Sequence, residues 1–419
     1  MTAGTLAQEL APHTVDFDQL ENDYKPMLNL VKELIGVVPN CDTYLEMWPT
    51  GFRTYNLLVP NLLNLPASLI GQGAPKDLLG LAMYAASMAA GCMYCSAHTC
   101  SFAMRRGLSP DALAGNYNDA EQAVVNLAEA LGRVPSDLSS KHLEDLRRYL
   151  SEEDIEWLVL GVGLMGFLNK FMDGMGIELE PEAIADVQDV IGDVGWSTGK
   201  HQWDADLVVE SSEEIPQDSI LTYLRVFRQG PRAARLEGRW TKGVSGRAGE
   251  ALLLLEDEVG YSFPVLASLH NKKPVRAVAT VLRDNLDTET TVVGLPLKCM
   301  VGVVFAMTVG NEMLLSEMVQ LADLSRSKVE HDLLVDLARF GYASNEKAEV
   351  PTGLSVRENA AIQLARAVSP SPTNVTEITV ESITPHLRPD EIVELMVWLS
   401  VLQMLHRLYT YYDARIGII

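Results

Sequence analysis

The sequence predicts an all-α protein built from two copies of one helical unit. Three observations predict it. Wherever a hydrophobic pattern is legible in the 419 residues it has helical period, and alternating strand patterns are scarce. The chain is 47% hydrophobic with only 7% aromatic residues, and Ala, Leu, Val and Met carry most of that share, as packed helices prefer. The third observation is an internal repeat. EQAVVNLAEALGRVP from Glu121 aligns with ENAAIQLARAVSPSP from Glu358, and LSEEDIEWLVLGVGLMGFLNKF from Leu150 aligns with LRPDEIVELMVWLSVLQMLHRL from Leu387. Both pairings stand 237 positions apart, and chance similarity between amphipathic helices rarely holds one register through an intervening loop.

Taken in order, the chain opens on MTAGTLAQELAPHTVDFDQLEN, which has no basic start and no apolar core and so does not read as a signal peptide. APKDLLGLAMYAASMAAG, residues 74–91, is expected to be a helix with Pro75 in its first turn and Asp77 close behind. Its apolar residues run almost all the way round, so most of its faces should be buried. In GLSPDAL, Ser109 is the expected N-cap and Pro110 the first helical residue. Ser151 and Asp154 form a capping pair ahead of a long apolar helix. From roughly Ser197 to Phe263, acidic VVESSEEIPQD is followed by RQGPRAARLEGRWTKGVSGR, which reads as a solvated connecting loop. VGLPLKCMVGVVFAMTVG, residues 293–310, carries a lysine and internal glycines and reads as a buried helix rather than a membrane span. The expected organisation is a first unit over 1–200, a connecting segment over 201–263 and a second unit over 264–419, the two units packed as a pseudo-dimer.

A formal net charge of −23 argues against nucleic-acid and anionic-membrane partners, because such a surface repels phosphates. It fits a cytoplasmic protein. In a reducing cytosol, five cysteines do not form a structural framework, and a close pair points instead to catalysis or metal binding.

Three of the five cysteines fall within GCMYCSAHTC, residues 91–100. On a helix, Cys95 lies about 60° from Cys92 and His98 a further 60° or so round the same side, while Cys100 falls roughly 80° away on the other flank. Gly91 can end the preceding helix so that Cys92 opens a new one, where the dipole and free N–H groups favour thiolate. His98, one turn from Cys95, can take its proton. The residues alone leave three readings open: a packed pair, a redox pair, or a metal site using Cys92, Cys95, His98 and Cys100. The metal reading lacks a second local motif to complete four ligands.

The run APKDLLGLAMYAASMAAGCMYCSAHTCSFAMRRGLSPDAL, with DAEQAVVNLAEAL and LSEEDIEWLVLGVGLMGFLNKFMDGMGIELE after it, resembles the AhpD-like alkylhydroperoxidase and carboxymuconolactone decarboxylase superfamily. GWSTGKH, residues 195–201, also looks like the segment that follows the domain in some members. The resemblance covers roughly Phe52–His201. It implies tandem AhpD-like helical domains, a homo-oligomer, and a redox-active cysteine pair with no other cofactor or metal. Carried over, Cys95 would attack the peroxide, Cys92 would resolve, and His98 would relay protons. The partners implied are a hydroperoxide or disulfide substrate and a dithiol reductant protein. One departure matters: the glutamate that peroxidase members carry about three turns before the first cysteine is Gly80 here, and Asp77 is the nearest upstream carboxylate.

The second copy has lost this chemistry. With Gly310 set against Gly91, 219 positions apart, Asn311, Leu314 and Glu317 stand where Cys92, Cys95 and His98 do. The offset then grows by 18 residues to 237, so an insertion is expected just after the degenerate motif. The bland expectation for Glu317 is an exposed side chain, with the alternative that it supplies the missing carboxylate. Tyr94 reads as packing, and His201 and His406 as structural or surface residues. Cys41 and Cys299 read as core thiols, and Arg105 and Arg106 as a solvated helix end. The leading expectation is a thiol oxidoreductase reducing a hydroperoxide or disulfide. The alternatives are a lyase or other acid–base enzyme using His98, and a non-enzymatic interaction protein.

Overall fold

The computed structural model describes residues 4–204, 206–212, 215–324, 329–343 and 349–417, and among them there are helices and loops but no strand. Residues 1–3 of the opening stretch and Glu213 and Glu214 of the acidic run lie outside the described residues. The helices that build and surround the site are α1 (Phe17–Ile35), α2 (Cys41–Leu45), α3 (Pro49–Leu62), α4 (Lys76–Ala89), α5 (Met93–Arg105), α6 (Asp119–Gly132), α7 (Ser140–Leu146), α8 (Glu152–Met175) and α9 (Pro181–Ile191). After α10 (Ile220–Trp240) come α11 (Lys272–Leu286), α12 (Leu295–Val309), α13 (Glu312–Leu324), α14 (His331–Tyr342), α15 (Val356–Val368), α16 (Glu377–Ile383) and α17 (Pro389–Ile416).

Local signals set most boundaries. Ser109 and Ser151 cap their helices as expected, Ser151 in a capping box with Asp154. Pro75 is the N-cap residue of α4 rather than a residue of its first turn. The connecting segment departs from expectation. The arginine-rich stretch read as a loop is helical through Trp240, because Val226 and Ala233 give α10 a buried face against α1. Its arginines continue on the outer side.

The elements of the two halves follow one order: α3, α4, α5, α6, α7 and α8 in the first, and α11, α12, α13, α15, α16 and α17 in the second. Where the offset grows, the 12-residue α14 falls between α13 and α15, in the place the four-residue helix Pro110–Leu113 takes in the first half, and it packs on α12. The two longest helices, α8 and α17, pack against each other, and α3 packs against α11. Both long helices are apolar and long enough to cross a membrane, but their apolar windows are 94% and 100% buried inside the fold.

Several contacts between the halves are reciprocal. Lys170 on α8 donates to Ser369 O at 2.8 Å, and Arg407 on α17 donates to Gly132 O at 3.3 Å. Lys170 and Arg407 are 237 positions apart, and so are Gly132 and Ser369. At the crossing of the long helices, a Cβ on Gly166 would stand 3.0 Å from the carbonyl oxygen of Gln403, again 237 positions away.

Gly80 lies where α4 packs on Ala103 of α5. A Cβ there would sit 2.7 Å from Ala103 Cα and 2.8 Å from Ala103 Cβ, so the position is taken up by helix-on-helix packing. The expected result for Gly80→Ala is a loss of about 1–3 kcal/mol from overpacking. It is read as a lower urea midpoint, and an unchanged midpoint would show that α4 and α5 have room to spare.

Candidate active site

The chain turns sharply at Gly91 (φ 70°) and enters α5 with Cys92 as N-cap. The Cys92 sulfur accepts the Cys95 backbone N–H at 3.4 Å, which sets the two cysteines one turn apart. The degenerate motif repeats this construction without sulfur. Gly310 also has φ 70°, and the Asn311 side chain accepts the Leu314 N–H at 2.9 Å. The turn before each motif closes on a matching bond, Cys92 N–H to Ser87 O at 3.1 Å and Asn311 N–H to Ala306 O at 2.9 Å. These shared bonds support the alignment of the two motifs.

Cys92 is fully buried, Cys95 is 3% exposed and His98 is 8% exposed. All five cysteines are free thiols. Cys95, His98, Tyr94 and Thr99 line a narrow pocket with a cavity volume of about 70 Å³ that is partly open to solvent. The other walls are apolar, with Val31 and Leu34 from α1, Met83 from α4, Phe102 from α5, and Leu164 and Met172 from α8. A concave, mainly apolar pocket with a few convergent polar groups is the usual form of a small-molecule site. Cys92 and Cys100 are not among the lining residues.

The carboxylate beside His98 comes from a different element. Glu180, at the N-cap of α9, stands 2.9 Å from His98 Nε2 through Oε2. Its Oε1 accepts the Tyr94 hydroxyl at 2.8 Å and the Asn40 backbone N–H at 2.5 Å. Burial alone would raise the Glu180 carboxyl, but the His98 ring and the donated hydrogen bonds outweigh it and hold the group below the usual carboxylate range. His98 Nδ1 is buried and has no hydrogen-bond partner. In the neutral tautomer whose Nε2 donates to Glu180, Nδ1 is the ring nitrogen left without a partner. Tyr94, read from sequence as packing, therefore also holds the site's carboxylate. Glu180 closes the quoted family-like stretch, but nothing in its spacing pointed to a histidine 82 positions earlier.

Burial pushes the Cys95 thiol up, and the Cys92 sulfur, Asp173 and Cys41 push in the same direction. Cys41, read as a plain core thiol, thus lies within electrostatic reach of the site. Asp173 on α8 pairs with Lys200 at 2.9 Å and accepts both the backbone N–H and the hydroxyl of Thr373, at 2.8 and 2.7 Å. The second half touches the motif directly as well, since a Cβ on Gly91 would stand 2.9 Å from Pro372.

Other expected residues fall as follows. Glu317 is buried and bonded by the Tyr409 hydroxyl, and burial raises its carboxyl to about 8, so it is not the exposed side chain expected, and the carboxylate on His98 is Glu180. His201 is buried with Nδ1 2.7 Å from Ile177 O. His406 is buried with Nδ1 3.0 Å from Asn311 Nδ2, and burial lowers its ring to about 3. Cys299 is buried in α12. Arg105 pairs with Asp186 at 3.4 Å. Arg106 is not solvated: it is 3% exposed, donates to Leu34 O and Phe102 O, and burial lowers its guanidinium to about 10. Its Nε faces the buried Asp218 carboxylate at 3.9 Å.

No family model matches the chain, and no curated protein matches it. Thirteen solved chains are similar. One is the apo debrominase Bmp8, 24% identical over 40% of this chain and 90% of that chain, with a TM-score of 0.36. Another is Bmp8 with a cysteine-to-alanine substitution in complex with 2,3,4-tribromopyrrole, 23% identical over 42% of this chain and 95% of that chain, with a TM-score of 0.38.

Proposed function

We propose that the protein is a thiol-dependent oxidoreductase related to the AhpD-like alkylhydroperoxidases, acting on a small apolar hydroperoxide or disulfide. The observation that carries this reading is that Cys95 and His98 line one apolar pocket while Cys92 lies buried one turn away. Cys95 passes its proton to His98 Nδ1 by way of one water, because the two side chains share no direct hydrogen bond, and its sulfur attacks the terminal oxygen of the hydroperoxide. The O–O bond breaks, the alcohol leaves with the proton, and Cys95 becomes a sulfenic acid. The Cys92 sulfur then attacks the Cys95 sulfur, a disulfide forms and water leaves. An external dithiol returns both cysteines to thiols. Glu180 holds the ring with Nδ1 free and stabilises the imidazolium that forms.

The test uses the full chain, fully reduced, with one equivalent of cumene hydroperoxide. The expected result is loss of two thiols, one equivalent of cumyl alcohol and a Cys92–Cys95 disulfide in the peptide map. Retention of all five thiols would overturn the reading.

One observation favours a second reading. The His98–Glu180 pair is complete without the cysteines, and burial disfavours the Cys95 thiolate. An acid–base reaction in which His98 moves the proton would need no sulfur. It predicts turnover that survives in a Cys92→Ala/Cys95→Ala protein and is lost in His98→Ala, the reverse of the thiol reading. Under either reading the C-terminal half is a structural partner of the active half, in the place a second copy would fill.

A further inference from the structure

Among the described residues nothing covers the outer face of α10. Val226 and Ala233 bury its inner side, and it packs on α1, the helix whose Val31 and Leu34 wall the active-site pocket. Away from α1, Ile220, Leu221, Leu224 and Phe227 are each between 45% and 77% exposed. At 100° per residue, Ile220, Leu224 and Phe227 fall within roughly 60° of one another and form a short apolar stripe. Apolar side chains gathered on one exposed helix face, rather than scattered singly, mark an interaction site.

Arginines flank the stripe. Arg228, Arg232, Arg235 and Arg239 are exposed, and they occupy roughly the next 60° round the same side of the helix. Among the described residues no carboxylate pairs with any of these four, whereas Arg225 meets Glu33 at 3.5 Å. The one carboxylate of α10, Glu237, is paired with Arg276 at 3.5 Å. The exposed face is therefore apolar along one edge and uniformly cationic along the other. Its complement is a surface with an apolar edge and a row of carboxylates.

The surroundings select the shape of that complement. The chain carries a net charge of −23 although α10 holds five arginines and one glutamate, so the surface away from α10 is acidic. A bilayer or a nucleic acid is broad and brings its phosphates against that acidic surface as well. A second copy offering its own α10 sets arginine against arginine. A single acidic helix is slender enough to touch α10 alone, along the ~30 Å from Ile220 to Arg239. We propose that the outer face of α10 docks an acidic amphipathic helix of a partner protein. Its apolar edge lies on Ile220, Leu224 and Phe227, and its carboxylates pair with Arg228, Arg232 and Arg235. The claim is independent of what the thiol pair does.

The experiment follows the fluorescence anisotropy of a labelled synthetic helix of leucine and glutamate, its leucines at i, i+3, i+4 and i+7, titrated with the full chain. Saturable binding is expected, and a leucine–lysine helix of the same pattern should not bind. Arg228→Glu/Arg232→Glu/Arg235→Glu should weaken the glutamate helix about tenfold or more and accept the lysine helix instead. Lysine at the same three positions should keep the wild-type preference. Leu224→Ser/Phe227→Ser should weaken binding without exchanging the preference. All five side chains are exposed, so urea midpoints should stay at wild type. Absence of binding, equal binding of both helices, or an affinity that charge reversal leaves unchanged overturns the proposal. So does co-sedimentation with phosphatidylserine vesicles that charge reversal abolishes, which makes α10 a membrane face. A doubled mass in sedimentation equilibrium that the same variant loses overturns it too, and makes α10 a contact between copies.

Discussion

Cys95→Ser should reduce dithiol-dependent hydroperoxide consumption to the rate of the dithiol alone, a loss on the order of 10³-fold or more. Cys95 is the cysteine of the pair that lines the pocket, and a serine hydroxyl cannot supply the thiolate nucleophile. Cys92→Ser should behave differently. Its first turnover should proceed, because the attacking sulfur is intact, and a Cys95 sulfenic acid should accumulate that a dimedone probe labels. Steady-state turnover should then fall, since no buried partner remains to resolve it. Wild-type peroxide consumption in Cys95→Ser would exclude the assigned roles. Persistence of the label in Cys92→Ser but not in wild type would separate the attacking thiol from the resolving one.

Glu180→Gln is expected to lower kcat by about 10²–10⁴-fold, the range associated with losing a positioned proton-transfer group. Three donors converge on this carboxylate: His98 Nε2, the Tyr94 hydroxyl and the Asn40 N–H. An amide has one acceptor oxygen for them, so at least one buried donor is left unsatisfied, at about 1–3 kcal/mol. The acid side of the stability profile should change too. A carboxyl held below its usual range adds stability that is fully present above its unfolded pKa of about 4 and is lost as pH falls through its folded value. Urea unfolding at pH 7 and at pH 3 reads that difference, which should be smaller in Glu180→Gln. If kcat and its pH profile both stay at wild type, Glu180 does not act on His98.

The two results bear on the same question from opposite sides. A protein sensitive to both substitutions uses sulfur with a positioned base. One sensitive to Glu180→Gln and His98→Ala but indifferent to the cysteines uses the base alone, and the pair would then be packing.

What the sequence by itself determined is local or periodic. Helical period, the caps at Ser109 and Ser151, the Gly91 turn into Cys92 and the register of the repeat all depend on residues within a turn or two of each other, or on a constant offset. Those features appear in the structure because hydrogen bonds over three or four residues set them. Tertiary structure decided what depends on distant chain segments meeting. Gly80 lacks a carboxylate because α5 crosses there, and Glu180 reaches His98 only because α8 returns the chain past α5 before α9 begins. Arg106 and α10 were misread for a related reason: charge-rich stretches signal solvent, but a buried neighbour one helix away can hold an arginine or complete a helix face.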